Sequence, residues 1–473
     1  MFRGIIAILM LAAATSAFGA SSDPGDFSKR LQACAGQFGA QAVDLSTGKV
    51  VWEHRARDTF IPASLAKVFT SYAALKTLGP SHQFKTEVWA AAEPKYGVVG
   101  PIVIKSDGDI FLTAEKAWTL AMRIRERGVR SVQGVVVDNG YFKPERVCLD
   151  EADCTHSYNP MVSGTALEFN TVAFRVRRAE KVGEPVRVEW FPPGDYVDMA
   201  NLAVTGPKNS RVRLKIESMG ATVEGREKYR LSGKIPVGST REYEYHFNAA
   251  DPAVFAARSF EALLRQVGVE VKGEARGGEK TVTDAGRVKL ATFESAPLSD
   301  LIYGLNRYSN NFMAEMLVRD LGAQVFGPPG TIEKGVAVVK RSVSDLGLSD
   351  GEVLLDSGSG LSRKSRVSPQ ALCRVLAGVY RDSSIAPEFL ASLAVGGRDG
   401  TLKKRLGGST VRGKTGTLGD VVGFAGYVSG ERPYAVVIMM NEVKNLFEAR
   451  EALDSILESL PSAASGHNFS TGG

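Results

Sequence analysis

The spacing of apolar residues predicts helices and a hairpin at the start of the chain. Residues 27–38 and 65–75 have apolar positions at helical spacing, whereas residues 40–54 alternate around a Ser-Thr-Gly turn. The second helix should end at Gly79, because a proline follows it directly. The first 83 residues therefore mix both kinds of element.

A different pattern holds from residue 84 to residue 283. Short β-like runs dominate there, and helical spacing returns only at residues 114–127 and 253–267. The clearest of these β-like runs are 134–138, 186–190, 212–216 and 269–271. This block predicts an inserted α+β region at 84–283, built as two small subdomains.

Helical spacing resumes at residues 298–305 and, after a polar break, from Phe312 onward. Two strands at 421–428 and 434–440 and a helix at 446–460 close the pattern. The sequence thus predicts an α+β fold, with residues 20–83 and 284–462 forming one antiparallel sheet covered by helices. The Ser/Gly-rich residues 463–473 are predicted to be a disordered tail.

The first 19 residues are typical of a signal peptide. Arg3 supplies the positive end, residues 5–14 are apolar but too short to span a bilayer, and Ala17 and Gly19 are the small residues before cleavage. No later apolar run reaches transmembrane length. We therefore expect a protein exported to the periplasm and soluble there.

Composition excludes several classes of function. The net charge of +6 is mild for 473 residues, and no Lys/Arg block resembles a nucleic-acid footprint.

Cys148 and Cys154 lie six residues apart in a polar loop, so a disulfide is expected between them in an oxidising compartment. Cys34 and Cys373 fall in helical patterns and are expected to be small buried residues. The loop that contains Cys148 and Cys154 has too few neighbouring ligands for a zinc site. No metal or cofactor is expected.

Ser64-Leu65-Ala66-Lys67 is the first motif that indicates chemistry. Residues three apart share a helix face, so the Lys67 amine can take the proton of the Ser64 hydroxyl and make it a nucleophile. Ser46-Thr47-Gly48-Lys49 has the same spacing, but it lies in a predicted turn where that geometry is absent. Taken alone, the Ser64 motif is also compatible with an ordinary helix start.

Two further motifs follow in the order nucleophile-base, Ser-x-Asn, Lys-Thr-Gly. Ser309-Asn310-Asn311 interrupts two helical runs, as expected for a loop that presents polar side chains to a cleft. Ser157-Tyr158-Asn159 has the same Ser-x-Asn pattern but does not lie between two helices. In Lys414-Thr415-Gly416-Thr417, at the edge of a β run, Lys414 can bind a carboxylate and the threonines can donate hydrogen bonds. Gly416 would let a ligand approach the backbone. Each motif alone is weak, and their conjunction indicates an acyl-transfer site.

With these motifs the chain resembles the class C low-molecular-mass penicillin-binding proteins, the penicillin-binding protein 4 type of D-alanyl-D-alanine carboxypeptidase/endopeptidase. About 240 residues separate Lys67 from Ser309, which matches the insertion of that class, and residues 358–363 match its GSGLSR segment. One departure is Ser357, which stands where the family has an acidic residue. The resemblance implies a penicillin-binding-protein/β-lactamase-like transpeptidase domain carrying the insertion.

The resemblance also implies roles for the residues. Ser64 would attack the D-Ala-D-Ala or cross-link carbonyl, Lys67 would be the base, Ser309 would pass a proton to the leaving amine, and Asn311 would orient Lys67 and the substrate. Residues 414 and 415 would bind the terminal carboxylate, and the backbone N–H groups of residues 64 and 417 would form the oxyanion hole. Arg363 is a candidate contact for the stem peptide, although a structural surface arginine fits it equally. The implied partners are peptidoglycan stem peptides and, as covalent inhibitors, β-lactam antibiotics.

Two other functions stay open at the level of sequence. A β-lactamase would share the acylation step, although the long insertion and the absence of an added deacylating Glu motif disfavour it. A catalytically silent wall-binding scaffold would not need all three motifs. The balance of carboxypeptidase and endopeptidase action, the diamino acid of the stem peptide and any oligomer are not predicted.

Overall fold

The computed structural model describes residues 24–142, 144–147, 157–222, 225–278, 286–349, 351–408 and 410–466. The predicted signal peptide at 1–19 and the predicted Cys148–Cys154 pair lie outside these residues. Cys34 and Cys373 are both free thiols, the first half-buried and the second buried, so the prediction of full burial is confirmed only for Cys373.

Helices occur in both the terminal segments and the insertion. The α-helices are α1 (Pro24–Cys34), α2 (Ala66–Leu78), α3 (Ala114–Glu126), α4 (Pro252–Gln266), α5 (Leu298–Arg307), α6 (Asn311–Phe326), α7 (Ile332–Ser344), α8 (Pro369–Arg381), α9 (Ala386–Ser392) and α10 (Leu446–Gly466). Short 3₁₀ turns lie at Ala63–Leu65, Glu168–Asn170 and Gly400–Leu402.

Strands occur in both the terminal segments and the insertion, and their lengths range from two to eleven residues. In the first half of the chain they are β1 (Ala35–Asp44), β2 (Val50–His54), β3 (Lys85–Ala90), β4 (Val98–Val99), β5 (Ile102–Ser106), β6 (Ser131–Val132), β7 (Val135–Asp138), β8 (Glu145–Arg146), β9 (Met161–Val162), β10 (Thr171–Arg177), β11 (Arg187–Phe191), β12 (Val197–Asn201) and β13 (Val204–Gly206). The others are β14 (Arg213–Ala221), β15 (Glu227–Pro236), β16 (Tyr243–Asn248), β17 (Glu270–Val271), β18 (Ala275–Gly278), β19 (Val288–Glu294), β20 (Val353–Leu354), β21 (Arg366–Val367), β22 (Ala394–Val395), β23 (Val411–Leu418), β24 (Val421–Ser429) and β25 (Pro433–Val443).

The terminal segments build one antiparallel six-stranded sheet in the order β2-β1-β25-β24-β23-β22. Nearly every residue of β24 and β25 is buried, because helices cover both faces of the sheet. One face packs against α1 and α10, and the other packs against α8 and the core that contains α2, α5 and α6. The predicted α+β class with a helix-covered antiparallel sheet is confirmed.

The insertion has its own apolar core and leaves the catalytic segments between α2 and α5. Its five-stranded sheet has the order β18-β7-β5-β3-β19, with α3 and α4 packed on it. The outgoing strand β3 pairs antiparallel with the returning strand β19. The insertion is therefore closed at its base, directly beside the end of α2.

Some elements differ from the sequence predictions. Residues 35–38 are strand and not helix, because β1 pairs with β25 from Ala35 onward and this pairing outweighs the helical pattern. Strand β19 belongs to the insertion sheet, so we place the end of the insertion after Glu294 and not at residue 283.

At the other end, α10 continues to Gly466, so residues 463–466 of the predicted disordered tail are helical. The Lys-Thr-Gly-Thr motif lies inside β23, where it pairs with β24 along its whole length, and not at the edge of a strand. Within the described ranges, no helix has the length and apolar character needed to cross a membrane.

Candidate active site

Ser64 lies at the centre of a tight 3₁₀ turn that leads directly into α2. The preceding residue, Ala63, has a left-handed backbone with φ 47°, a conformation that non-glycine residues rarely adopt. Gly360 packs against this turn so closely that a Cβ there would lie 1.8 Å from the Ala63 carbonyl oxygen. The turn is therefore held from outside in a conformation that the local sequence alone would not favour.

Gly416 supports the same turn from β23. A Cβ at this position would lie 2.9 Å from the Pro62 carbonyl oxygen and 3.1 Å from the Leu65 side chain. The glycine thus allows the strand to pack against the Ser64 turn, and the approach of a ligand to its backbone stays a prediction. The same packing brings β23 alongside the turn that carries Ser64.

The Lys67 amine contacts three oxygen atoms. Its Nζ lies 2.9 Å from Ser64 Oγ, 2.8 Å from Asn311 Oδ1 and 2.7 Å from the Ser359 carbonyl oxygen. The side chain is fully buried. The expectation that a spacing of three residues brings Lys67 to Ser64 is confirmed.

Asn311 is positioned by the break between α5 and α6. Asn310 caps α6 by accepting a hydrogen bond from Met313 N, so Asn311 becomes the first helical residue. Its Nδ2 donates to the Tyr158 carbonyl oxygen at 2.9 Å, which leaves Oδ1 facing Lys67. Tyr158 is the central residue of Ser157–Asn159, the segment that has the Ser-x-Asn pattern but is not the predicted motif. Through this hydrogen bond the insertion contacts the site.

Ser309 and Lys414 form a second pair. Ser309 has a left-handed backbone with φ 59°, and its Oγ accepts a hydrogen bond of 2.8 Å from Lys414 Nζ. Lys414 also donates to the Thr415 carbonyl oxygen at 2.8 Å. Thr415 Oγ1 donates in turn to Thr401 Oγ1 at 2.8 Å. The three motifs that are far apart in sequence therefore meet in one cleft.

The segment 356–363 packs against the Ser64 turn through Gly360. Ser357, the residue that departs from the family pattern, accepts backbone hydrogen bonds from Gly360 and Ser362, so its hydroxyl supports the loop. Arg363 forms an ion pair of 2.8 Å with Asp420, which lies in the turn between β23 and β24. Arg363 is thus at the end of the β23 strand, half-exposed and not in contact with Ser64 in the described residues.

Burial controls the electrostatics of both lysines. It lowers the pKa of Lys67 well below its usual range, and repulsion from Lys414 adds to the effect, while Glu315 opposes it. Burial also lowers the pKa of Lys414 to about 7. The neutral amine that a general base requires is therefore easier to form at Lys67 than at an exposed lysine.

Glu315 is a residue that the sequence reasoning missed. It is completely buried on α6, accepts hydrogen bonds from the backbone N–H and the Oγ of Ser359, and forms an ion pair of 2.9 Å with Arg319. It therefore fixes the carbonyl that binds Lys67. Its position four residues after Asn311, on the same helix face, is the signal that could have indicated it.

Arg450 on α10 was also missed, and its Nη2 donates to Thr417 Oγ1 at 3.3 Å. No feature of the sequence near residue 450 resembles a motif, so only the fold reveals this contact. Across the described ranges, no group of three or more His, Cys, Asp or Glu side chains is placed to hold a metal ion.

Comparisons with known proteins agree with this geometry. The model of the D-Ala-D-Ala carboxypeptidase 3 (S13) family matches residues 28–460. The chain is 32% identical over 410 residues to the D-alanyl-D-alanine carboxypeptidase of Actinomadura sp. (strain R39), covering 83% of this chain and 75% of that protein. It is 24% identical over 405 residues to the D-alanyl-D-alanine carboxypeptidase DacB of Haemophilus influenzae, covering 83% and 82%.

Solved structures show the same fold. The crystal structure of penicillin binding protein 4 from Haemophilus influenzae superposes with a TM-score of 0.77 at 21% identity, covering 93% of this chain and 98% of that one. A penicillin G acylated endopeptidase from Bdellovibrio bacteriovorus superposes with a TM-score of 0.52 at 15% identity, covering 91% and 93%.

Proposed function

This chain belongs to the D-Ala-D-Ala carboxypeptidase 3 (S13) family, and we propose that it cleaves the D-alanyl-D-alanine bond through an acyl-enzyme on Ser64. It is a serine-type carboxypeptidase by this membership.

The arrangement around Lys67 carries the proposal. Two of its three contacts, Asn311 Oδ1 and the Ser359 carbonyl oxygen, can only accept hydrogen bonds. A neutral lysine amine has two N–H groups and one lone pair, so these two acceptors take both hydrogens. The lone pair then faces the Ser64 hydroxyl at 2.9 Å, where it can remove the proton during attack.

The steps that follow use the second pair of residues. Ser64 Oγ bonds to the carbonyl carbon, and the oxyanion accepts hydrogen bonds from the backbone N–H groups of Ser64 and Thr417, a contribution of roughly 3 kcal/mol per donor. Ser309 Oγ gives its proton to the leaving amine and is reprotonated from Lys414. Water then attacks the ester and gives a proton to Lys414 through Ser309, while the departing Ser64 Oγ takes its proton back from Lys67. The shortened peptide leaves as the acid, and both lysines return to their starting states.

We further propose peptidoglycan stem peptides and their cross-links as substrates, and β-lactams as covalent inhibitors. The relatives named above are D-alanyl-D-alanine carboxypeptidases, and one structural neighbour was solved as a complex with a β-lactam. Such substrates lie outside the cytoplasm, which agrees with the signal peptide expected at residues 1–19. Export would be tested by fractionating cells and sequencing the N-terminus of the mature chain.

The nucleophile is tested by replacing Ser64 with alanine. Labelling with a fluorescent penicillin and release of D-alanine from a D-Ala-D-Ala peptide should both be lost, because Ser64 carries the hydroxyl that contacts the Lys67 base. Ser46→Ala is the matched control, since Ser46-x-x-Lys49 has the same spacing in an exposed turn, and it should keep full activity. Mapping the penicillin adduct to a serine other than Ser64 would refute the assignment.

The same labelled protein separates the two other functions. A β-lactamase would release the penicilloyl group within the time of an ordinary assay, whereas a carboxypeptidase of this family should keep the adduct. A silent scaffold would not be labelled at all. Mass spectrometry of products from purified muropeptides would then show how carboxypeptidase and endopeptidase action are balanced.

A further inference from the structure

A positively charged side chain that belongs to none of the three motifs lies against the end of β23. Arg450 lies in the second turn of α10 and donates a hydrogen bond of 3.3 Å to the hydroxyl of Thr417, the last residue of the Lys-Thr-Gly-Thr motif. Thr415 and Thr417 are two residues apart on one strand, so their side chains project on the same side. Arg450 thus extends the row of threonine hydroxyls at the rim of the cleft.

The guanidinium of Arg450 is not neutralised by a carboxylate in the described part of the chain. Two acidic groups on the same helix are engaged elsewhere, since Asp454 binds Arg405 at 2.6 Å and Glu448 accepts from Asn445. Glu451, the next residue, forms no ion pair with Arg450 within the described residues. The other cation at this end of the strand, Arg363, is paired with Asp420. Arg450 is half-buried, and within the described residues it has one hydrogen bond, to Thr417, which leaves further N–H donors available.

Lys414 is less suited to hold a substrate carboxylate by itself. Its ammonium is completely buried, and two of its donors are committed to Ser309 Oγ and the Thr415 carbonyl oxygen. Burial lowers its pKa to about 7, so its charge is incomplete at neutral pH. An arginine stays charged throughout this range and matches a carboxylate in shape.

We propose that Arg450 is a specificity-determining residue that binds the free carboxylate beside the scissile amide, with the hydroxyls of Thr415 and Thr417 as further donors. This inference rests on the function proposed above, because it names the group that reads the carboxylate of that substrate. The carboxylate of a terminal D-alanine and that of the amine-donating residue in a cross-link have the same position relative to the bond. Arg450 would serve both.

The test compares four enzymes on two substrates. The enzymes are the full chain without substitution, Arg450→Gln, Arg450→Lys and Lys444→Gln, which removes one exposed positive charge just before α10 as a control for net charge. The substrates are an N-acylated D-Ala-D-Ala peptide and the same peptide with its terminal carboxylate amidated. The measured quantity is kcat/KM for cleavage of the final bond.

We expect Arg450→Gln to lower kcat/KM for the free acid by roughly 10- to 100-fold, the usual effect of losing a hydrogen bond to a charged group. The amidated peptide, slow with every enzyme, should be cleaved equally by all four. Arg450→Lys should recover part of the loss, and Lys444→Gln should behave as the unsubstituted enzyme. Equal losses on both peptides, or no loss on the acid, would overturn the inference.

A second readout covers the case of a variant that is poorly folded. Acylation by a penicillin and by its methyl ester can be compared on the same sample, and only the reaction of the free acid should slow in Arg450→Gln. If the unsubstituted enzyme neither cleaves the peptide nor reacts with penicillin, the proposed function fails. If it does both and Arg450→Gln matches it on the acid, only the role of Arg450 fails.

Discussion

At the scale of single residues, the base is tuned by charges that it does not touch. Lys67 and Lys414 are both completely buried, and burial lowers the pKa of each because an ammonium loses its solvation. Lys414 lowers the pKa of Lys67 further by repulsion, whereas Glu315 raises it by attraction. Neutralising one or the other should therefore shift the titration of the base in opposite directions.

Lys414→Met removes a positive charge and should raise the pKa of Lys67. The amine is then neutral only at higher pH, so the acidic limb of the pH–rate profile for penicillin acylation should move to higher pH. Glu315→Gln removes a negative charge, and the same limb should move to lower pH. The measurement is the second-order rate of acylation between about pH 4 and about pH 9.

Lys414→Met should also lower the plateau rate by about 100-fold or more, because Ser309 loses the donor that supplies its proton. Lys444→Gln again serves as the control, since an exposed charge outside the cleft should leave the limb where it is. A shift of both variants in the same direction would show that direct charge interaction does not set the pKa of Lys67.

At the scale of elements, the turn that carries Ser64 depends on a glycine in another segment. Gly360 has a left-handed backbone with φ 80°, and a Cβ there would lie 1.8 Å from the Ala63 carbonyl oxygen. Gly360→Ala should therefore lower the free energy of unfolding by about 1–3 kcal/mol and displace the Ser64 turn, with loss of penicillin acylation. Urea denaturation and labelling on the same sample check both effects.

Gly351→Ala is the matched control for that substitution. A Cβ at Gly351 meets no atom within 4 Å, and its backbone is not left-handed, so stability and acylation should both be unchanged. A Gly360→Ala protein that is as stable and reactive as the control would mean that the turn is held by other contacts.

The order of elements and the three motifs could be predicted from sequence because each depends on local spacing. The Ser64–Lys67 contact follows from a helix face, and the Ser309–Asn311 break follows from two interrupted apolar patterns. Pairing between distant strands could not be read in the same way. Residues 35–38 have a helical pattern, yet they pair with β25, some 400 residues later.

Contacts between segments far apart in sequence were missed for the same physical reason. Glu315 reaches Ser359, and Arg450 reaches Thr417, only once α6 and α10 have packed against the sheet. The packing of Gly416 against the Ser64 turn likewise appears only once β23 and the turn have come together. Long-range geometry therefore decides which polar side chains surround a motif.

At the scale of the whole molecule, α6 joins the insertion to the site. Arg319 is almost fully buried and links Glu315 to Glu145 of the insertion strand β8, in an ion pair on each side. One residue later, Asp320 accepts a hydrogen bond of 2.8 Å from the hydroxyl of Tyr141, which also belongs to the insertion. The junction therefore consists of buried polar groups on the helix that begins with Asn311.

Asp320 makes this junction sensitive to pH. Burial raises its pKa to about 8, and repulsion from Asp107 adds to the shift, while the Tyr141 hydrogen bond opposes it. Its Oδ2 has no hydrogen-bond partner in the described residues. The charged form of this carboxyl is thus poorly accommodated in the folded protein.

The free energy of unfolding depends on pH because the folded and unfolded chains release the Asp320 proton at different pH values. Below about pH 4 the carboxyl is protonated in the folded and unfolded chains alike, so it contributes no pH dependence. Between about pH 4 and about pH 8 only the unfolded chain releases the proton, so the free energy of unfolding falls as pH rises. Above that range the loss is complete and constant.

Asp320→Asn should remove this loss, because the amide stays neutral and its oxygen can still accept the Tyr141 hydrogen bond. The variant should match the unsubstituted protein near pH 4 and exceed it in free energy of unfolding by a margin that grows up to about pH 8, on the order of a few kcal/mol. Urea denaturation at a series of pH values measures that margin. Asp198→Asn, at an exposed position on β12, should show no such growth. A margin for Asp320→Asn that is constant with pH would mean that the carboxyl at the junction ionises freely in the folded protein, and that solvent reaches α6 between the insertion and the catalytic sheet.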